Sequence, residues 1–203
     1  MRPLALAGLI VVAAVIAYAN SFRVPLLLDD VLAVKQNASI RHLWPLTAVF
    51  RTPEYSGTSG RPLLNLSFAL NYAVGGQKVW GYHAVNFVLL LLSGLTLMGI
   101  VRRALLSARF NSRYTGSADL LAAIIAALWT VHPLLTESVT YISERAEVLM
   151  GLFYLLTLYC FIRWSATSGR AGYSGRSGQN AVGPSAPGGR APPNARAGGP
   201  GPG

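Results

Sequence analysis

The residues of this chain that could carry chemistry lie in short polar segments between apolar stretches. An acidic pair occurs near the end of the first apolar stretch, and two histidines, two arginines and three glutamates follow. The set is Asp29, Asp30, Arg61, His83, His132, Glu137, Glu144, Arg145 and Glu147. A carboxylate can deprotonate a hydroxyl acceptor, arginines can hold a phosphate, and carboxylates with histidine can bind a divalent cation. Together these residue types suit transfer from a phosphate-linked donor presented at a membrane surface.

Each of these residues also has an ordinary structural interpretation. Adjacent aspartates also cap helices or lie in solvated turns. Arg61, directly before Pro62, also suits a lipid headgroup, and His132 before Pro133 also suits a helix stop. His83 also suits a packed position. The residue types leave both interpretations open, and they leave the need for a divalent cation open as well.

The composition indicates an integral membrane protein. The chain has 203 residues, of which 52% are hydrophobic and 12% are charged, against roughly 25% charged in ordinary soluble domains. Its net charge is +10, but the basic residues form no helical stripe with interleaved aromatic residues, so nucleic-acid binding is not expected. A single cysteine, Cys160, leaves no internal disulfide to form.

Four apolar segments predict an all-α, polytopic transmembrane bundle. The predicted crossings are 3–19, 80–101, 117–132 and 146–164, since a span needs about 20 apolar residues. The first is short and ends in Ala17-Tyr18-Ala19, so a cleaved signal peptide is an alternative for it. The stretch 63–74 is too short to span, and we expect an interfacial or re-entrant helix that begins at Pro62.

The distribution of arginine predicts the orientation of the bundle. The loop after the second crossing holds Arg102, Arg103, Arg109 and Arg113 and no acid, so it should be cytoplasmic. Both termini are then cytoplasmic as well. The loops 20–79 and 132–145, which carry nearly all the candidate residues, are predicted to lie on the extracytoplasmic side.

A change of composition after Trp164 predicts two regions, 1–164 and 165–203. The second is rich in Gly, Pro, Ser, Ala and Arg and has almost no apolar residue after Tyr173. Such a segment buries too little surface to fold, so we expect a disordered tail. A native cytoplasmic tail and the product of a frameshift are both consistent with this composition.

Five motifs follow one another along residues 1–164. They are Leu28-Asp29-Asp30-Val31, Gly60-Arg61-Pro62-Leu63 with Asn71-Tyr72-Ala73-Val74-Gly75-Gly76, Trp80-Gly81-Tyr82-His83-Ala84-Val85-Asn86, His132-Pro133-Leu134-Leu135-Thr136-Glu137-Ser138-Val139 and Glu144-Arg145-Ala146-Glu147-Val148-Leu149. This series resembles the N-terminal part of the transmembrane and tetratricopeptide-repeat O-mannosyltransferase family and its bacterial relatives, within the GT-C glycosyltransferases. The resemblance implies a sugar donor on a polyprenyl phosphate, a hydroxyl acceptor (often a protein Ser or Thr), and inversion at the sugar.

The resemblance also implies roles for the candidate residues. One acid of the pair would be the catalytic base, and Asp29 is favoured over Asp30. The others would bind the donor phosphate or shape the pocket: Arg61, His83, His132, Glu137, Glu144, Arg145 and Glu147. Family members have many more crossings and a repeat domain, yet no period of about 34 residues occurs here. The chain is therefore expected to be an enzyme that needs further helices or, alternatively, a non-catalytic assembly or interaction protein.

Overall fold

The computed structural model describes residues 3–107, 110 and 113–179 of the chain. Over these ranges the secondary structure is helical and contains no β-strand, which confirms the all-α prediction. The α-helices are α1 Pro3–Tyr18, α2 Leu46–Phe50, α3 Pro62–Gly75, α4 Val79–Leu105, α5 Ala118–Thr130, α6 Thr136–Thr140 and α7 Arg145–Gln179. Between them lie the 3₁₀ turns Ser21–Arg23, Ala38–Ile40 and Pro133–Leu135 and the π-helical turn Val31–Lys35.

The four predicted crossings are not confirmed. Among the described residues, only α4 and the part of α7 from Arg145 to Ser168 are long and apolar enough to span a membrane. A third span is formed if α5 and the segment Pro133–Thr140, which are bent by 56°, are counted as one broken span. Helix α1 has 16 residues and is therefore about 24 Å long, whereas the hydrocarbon core is about 30 Å thick.

Helices α1, α4 and α5 pack together. Their shared core contains Leu6, Ile10, Met98 and Ala126. Close approach of α4 and α5 depends on Gly94, because a methyl group at this position would overlap the hydroxyl of Thr130. Small residues at such positions allow apolar helices to pack closely within a membrane.

The residues between these long helices form a second packed region, which we call the loop module and define as residues 20–78 and 131–144. Its core contains Ile40, Val49, Phe68 and Ile142, and it packs on Tyr82 in the second turn of α4. The loop module therefore lies at the Val79 end of α4. It contains most of the residues singled out by the sequence.

The helix α7 continues beyond the predicted boundary at residue 164. Its described residues extend to Gln179. Elongation of an existing helix adds one residue at a time and needs no new nucleus. Residues 1–164 form a compact unit. Residues 180–203 of the predicted disordered tail lie outside the described residues, so the disorder of that part stays a prediction.

Candidate active site

The acidic pair follows a strained residue. Leu28 has φ +42°, a left-handed conformation that is rare for a bulky side chain and costs free energy. The following residues turn into a short helix, in which the amide of Asp30 donates to the carbonyl of Leu27 at 2.8 Å. Asp29 is exposed and Asp30 is fully buried. The two neighbouring acids thus have different environments.

The carboxylate of Asp30 joins the two segments of the loop module. Its Oδ1 accepts a hydrogen bond from the amide of Ser143 at 2.7 Å, and its Oδ2 accepts one from the amide of Leu27 at 3.4 Å. A buried carboxylate is stabilised by such backbone donors. This placement gives Asp30 a positioning role and leaves Asp29 as the accessible acid.

Glu144 is the centre of an acidic group. It is half-buried, and burial raises the pKa of its carboxyl above the usual value of 4.5. The negative charges of Glu147, Glu137 and Asp30 raise this pKa further, and the positive charge of Arg61 lowers it. Interactions of this kind require short separations. The structure therefore brings together five of the residues that the sequence singled out.

A cavity of about 370 Å³ lies between the first turns of α3 and α7. Arg61 and Glu147 are the charged residues of its lining. The apolar residues of the lining are Pro62, Leu63, Leu64, Ala146, Leu149, Met150 and Phe153. A cavity with apolar walls and one guanidinium suits an amphipathic molecule that has an anionic group.

Arg145, which the sequence suggested for the donor phosphate, lies instead in the interior. It is fully buried. Its Nε donates to Asn86 Oδ1 at 2.6 Å, and its Nη2 donates to Asn71 Oδ1 at 3.0 Å and to the carbonyl of Tyr82 at 2.9 Å. Its guanidinium also lies 4.5 Å from the ring centroid of Phe68. Because its donors are directed at protein groups, Arg145 holds α3, α4 and α7 together and has no open side for a phosphate.

His83 is also an interior residue. Its Nδ1 lies 2.8 Å from the carbonyl oxygen of Val139, and its Nε2 lies 2.9 Å from that of Val24. These two carbonyls belong to different segments of the loop module. His83 therefore fixes both segments to α4, and it does not line the cavity beside Arg61.

His132 has a local role. It is exposed, and its Nδ1 accepts a hydrogen bond from the amide of Leu134 at 3.3 Å. This contact caps the 3₁₀ turn Pro133–Leu135. The predicted helix stop is observed, since α5 ends at Thr130 and His132 has extended backbone angles before the proline.

The sequence reasoning assigned no role to Asn86, although one of its motifs contains this residue. Asn86 donates to the carbonyls of Ser138 at 3.2 Å and Tyr141 at 3.1 Å, while its oxygen receives Arg145. A signal was present, since His83 and Asn86 are polar, occur in an apolar helix, and share one face at i, i+3 spacing.

A second missed feature is a buried network of amides and hydroxyls. Asn37 Nδ2 donates to Asn65 Oδ1 at 2.8 Å, and Asn65 Nδ2 donates to the carbonyl of Val49 at 2.6 Å. Asn37 and Asn65 are 2% and 0% exposed. Each begins an Asn-X-Ser triplet, a signal that usually marks a surface loop. In the folded chain both amides are enclosed and bonded to each other.

The described residues contain no group of three or more His, Cys, Asp or Glu side chains placed to hold a metal ion. The acids around Glu144 interact through their charges without converging on one point. A divalent cation, which the sequence left open, therefore stays open.

The fold and the site define a class: a helical membrane protein with an acidic and cationic group at one end of its apolar helices. No family model and no solved structure matches the chain. Among curated proteins, the protein O-mannosyl-transferase TMTC2 of Mus musculus is 36% identical over 168 residues, which is 79% of this chain and 18% of the mouse protein. The Xenopus laevis tmtc2 protein is 37% identical over 160 residues, or 75% of this chain and 18% of its own.

A third relative, the protein O-mannosyl-transferase Tmtc3 of Drosophila melanogaster, is 34% identical over 178 residues, 79% of this chain and 19% of its own. These similarities confirm the family resemblance: the chain is a relative of the TMTC protein O-mannosyl-transferases. It spans about a fifth of the length of the curated relatives it matches.

Proposed function

We propose that this chain carries the acceptor-activating and phosphate-binding part of a membrane glycosyltransferase that modifies protein hydroxyls. The donor is a sugar linked to a polyprenyl phosphate, and the reaction takes place on the extracytoplasmic face. Support comes from the relatives, which are named protein O-mannosyl-transferases, and from the apolar helices that embed the chain in a bilayer.

One observation carries the proposal: Asp30, the neighbour of the exposed acid Asp29, acts on Glu144 together with Arg61, Glu137 and Glu147, and two members of this group lie beside an apolar cavity. Asp30 links the acidic pair to Ser143, the residue before Glu144. Glu144 in turn interacts with Arg61 and Glu147, which line the cavity. We infer from this arrangement that a hydroxyl acceptor and the phosphate of an amphipathic donor bind next to each other.

The proposed reaction is a single displacement. The carboxylate of Asp29 takes the proton of the acceptor hydroxyl, and the acceptor oxygen forms a bond to the anomeric carbon. The bond from that carbon to the phosphate oxygen breaks, and its electron pair leaves with the polyprenyl phosphate. Arg61 stabilises the charge on this leaving group.

Glu144 is assigned a supporting part in this reaction. Burial and nearby negative charges raise the pKa of its carboxyl, which favours the protonated form. A protonated Glu144 can donate a hydrogen bond to a phosphate oxygen, whereas an ionised one would repel it. The polyprenyl chain would lie along the apolar walls formed by Leu64 and Phe153.

Sugar transfer by the full chain in lipid nanodiscs tests the proposal. The donor is mannosylated polyprenyl phosphate, chosen because of the relatives' names, and the acceptor is a serine-containing peptide. Asp29→Asn should lower the rate by about 100-fold or more, as expected for loss of a general base. Asp119→Asn removes an acid at the far end of α4 and should leave the rate unchanged. Measurable transfer at equal rates by Asp29→Asn and the unmodified chain would contradict the role of Asp29.

The alternative is a non-catalytic assembly protein, and the surface of α7 favours it. Met150, Phe153 and Tyr154 are 63%, 53% and 72% exposed, so this helix offers a broad apolar face to lipid or to other helices. Under this alternative the unmodified chain transfers no sugar in the same nanodiscs.

A further inference from the structure

A second, small cavity lies beside the helical stretch that carries the acidic pair. Its volume is about 180 Å³, and it lies between the π-helical turn and the turn that precedes Gly57. The lining consists of Leu32, Gln36, Asn37, Pro53, Tyr55 and Ser56. None of these side chains is charged, and the proposed reaction uses none of them.

This cavity adjoins the face that carries Asp29. The residues 29–35 are continuously helical, so Asp29 and Leu32 lie within one turn of the same helical stretch. The turn that forms the opposite wall packs directly on this helix. A methyl group at Gly57 would lie 3.6 Å from Cβ of Ala33 and 3.8 Å from the backbone oxygen of Asp29.

The floor of the cavity is fixed by the buried hydrogen-bond network. Asn37 Nδ2 donates to Asn65 Oδ1 at 2.8 Å and to Thr58 Oγ1 at 3.3 Å. Ser56 Oγ lies 2.7 Å from Thr58 Oγ1 and donates to the carbonyl of Pro53 at 2.8 Å. A site whose walls are already fixed loses little conformational entropy when a ligand binds.

The rim has residues of the types that recognise peptides. Tyr55 is 89% exposed, although burial of such a large ring would be favourable. Exposed tyrosines supply rigid contact area in protein-binding sites. Gln36 is also exposed, and its amide can both donate to and accept from a peptide backbone.

We propose that this cavity is a subsite for the protein acceptor, and this inference rests on the proposed function. In an extended peptide, alternate residues lie on one side and are about 6.6 Å apart, which is similar to the rise of about 5.4 Å in one helical turn. When the serine or threonine of an acceptor peptide lies at Asp29, the side chain two positions along the peptide therefore enters the cavity. This side chain is uncharged and of moderate size, because the lining has no charge to compensate a buried one.

Photo-crosslinking of acceptor peptides tests the subsite without requiring turnover. The probe is an alanine-rich peptide with one serine and a photoreactive leucine two positions away, irradiated with the full chain in nanodiscs. Adducts should map to residues 32–36 and 53–56. Replacement of the alanines next to the photoreactive leucine should have little effect on the adduct yield. Competitor peptides that carry leucine or aspartate at this position, without a photoreactive group, should also be added. The aspartate peptide should reduce the adduct yield at least about fivefold more weakly than the leucine peptide.

Variants at the rim provide the matched comparison. Tyr55→Ala should lower the adduct yield at least about fivefold, and Tyr55→Phe should restore most of it, since the ring makes the contact. Trp44→Ala is the control, because Trp44 is a large aromatic residue of the same segment, is 79% exposed, and does not line the cavity. Adducts that map elsewhere, no adducts at all, or an unchanged yield in Tyr55→Ala would overturn the subsite.

The result separates the subsite from the catalytic proposal. Asp29→Asn should keep the adducts while losing transfer. Adducts at the cavity without any transfer by the chain would support the subsite and count against the catalytic role. Transfer that depends on Asp29, together with adducts that lie outside the cavity, would support the catalytic role and overturn the subsite.

Discussion

The two ends of α4 hold their arginines in opposite ways. At the Val79 end, Arg145 is fully buried and bonded to amide and carbonyl oxygens, with no carboxylate among its hydrogen-bond partners. At the Leu105 end, Arg102 Nε lies 2.5 Å from Asp119 Oδ1, and the two side chains are 40% and 31% exposed. The first arrangement fixes the backbone around the candidate site. The second is a surface ion pair, of a kind that contributes little to stability.

This difference shows why the charged residues of a sequence cannot be ranked by their type alone. Arg145 follows Glu144 directly and suggests a local ion pair, yet its guanidinium is directed at Asn71 and Asn86 in other helices. Buried donors and acceptors are costly when unpaired, so the neutral oxygens around Arg145 matter as much as its charge. At the Leu105 end of α4, water can replace either Arg102 or Asp119 as a hydrogen-bond partner.

Replacement of Arg145 should have the largest effect on stability. Arg145→Leu leaves the oxygens of Asn71 and Asn86 without their donor, and we expect a loss of about 3–5 kcal/mol in the free energy of unfolding. Arg102→Leu, the matched change at the other end of the helix, should cost no more than about 1 kcal/mol. Thermal unfolding in detergent micelles measures both. Similar losses for the two variants would contradict the comparison.

Loss of Asn86 should have an intermediate effect. Asn86→Ala frees Arg145 Nε and the carbonyls of Ser138 and Tyr141, so we expect a loss of about 2 kcal/mol. Amide hydrogen exchange should also become faster in residues 138–142. Thr96→Ala is the control on the same helix, since its hydroxyl only returns to the carbonyl of Leu92. Unchanged exchange in Asn86→Ala would show that this side chain does not hold the segment.

Local signals predicted much of the fold. Pro62 was expected as the first residue of α3 and is so, because proline suits the first turn of a helix. The apolar run 80–101 is part of α4, which has one more residue at its start and four more at its end. The predicted number of crossings is not confirmed, because α1 is short and α5 ends before the bend at Pro133. Length and hydropathy do not show whether a short apolar helix crosses or packs.

The candidate site was predictable only in part. The sequence motifs predicted that Arg61, Glu137, Glu144 and Glu147 belong to one group, and the charges of the other three do act on Glu144. The different environments of Asp29 and Asp30 were not predictable, since successive residues of a helix point about 100° apart and the buried direction depends on Ser143, more than a hundred residues away. Tertiary partners of this kind leave no local trace in the sequence.

The smallest effect concerns the pH dependence of stability. The pKa of Glu144 is raised in the folded chain, mainly by burial, so the folded state binds more protons than the unfolded state above the usual value of 4.5. Stability is therefore lost as pH rises through the raised pKa. Glu144→Gln lacks this loss, and its melting temperature should equal that of the unmodified chain near pH 4 and exceed it at pH 7.

The control for this experiment is Glu54→Gln, which removes an exposed acid of the loop module. Its melting temperature should follow that of the unmodified chain at both pH values. A Glu144→Gln variant that gains nothing at the higher pH would show that this carboxyl is not held in a destabilising environment.

The most direct test of the account is the sidedness of the two ends of α4. Glu54→Asn creates the glycosylation triplet Asn-Tyr-Ser in the loop module, and Arg113→Asn creates Asn-Tyr-Thr beyond the other end of the helix. Each variant is expressed in microsomes, and the added glycan is detected by its mass. The account predicts one additional glycan in Glu54→Asn and none in Arg113→Asn. A glycan in Arg113→Asn with none in Glu54→Asn would place the candidate site on the cytoplasmic side and contradict the account.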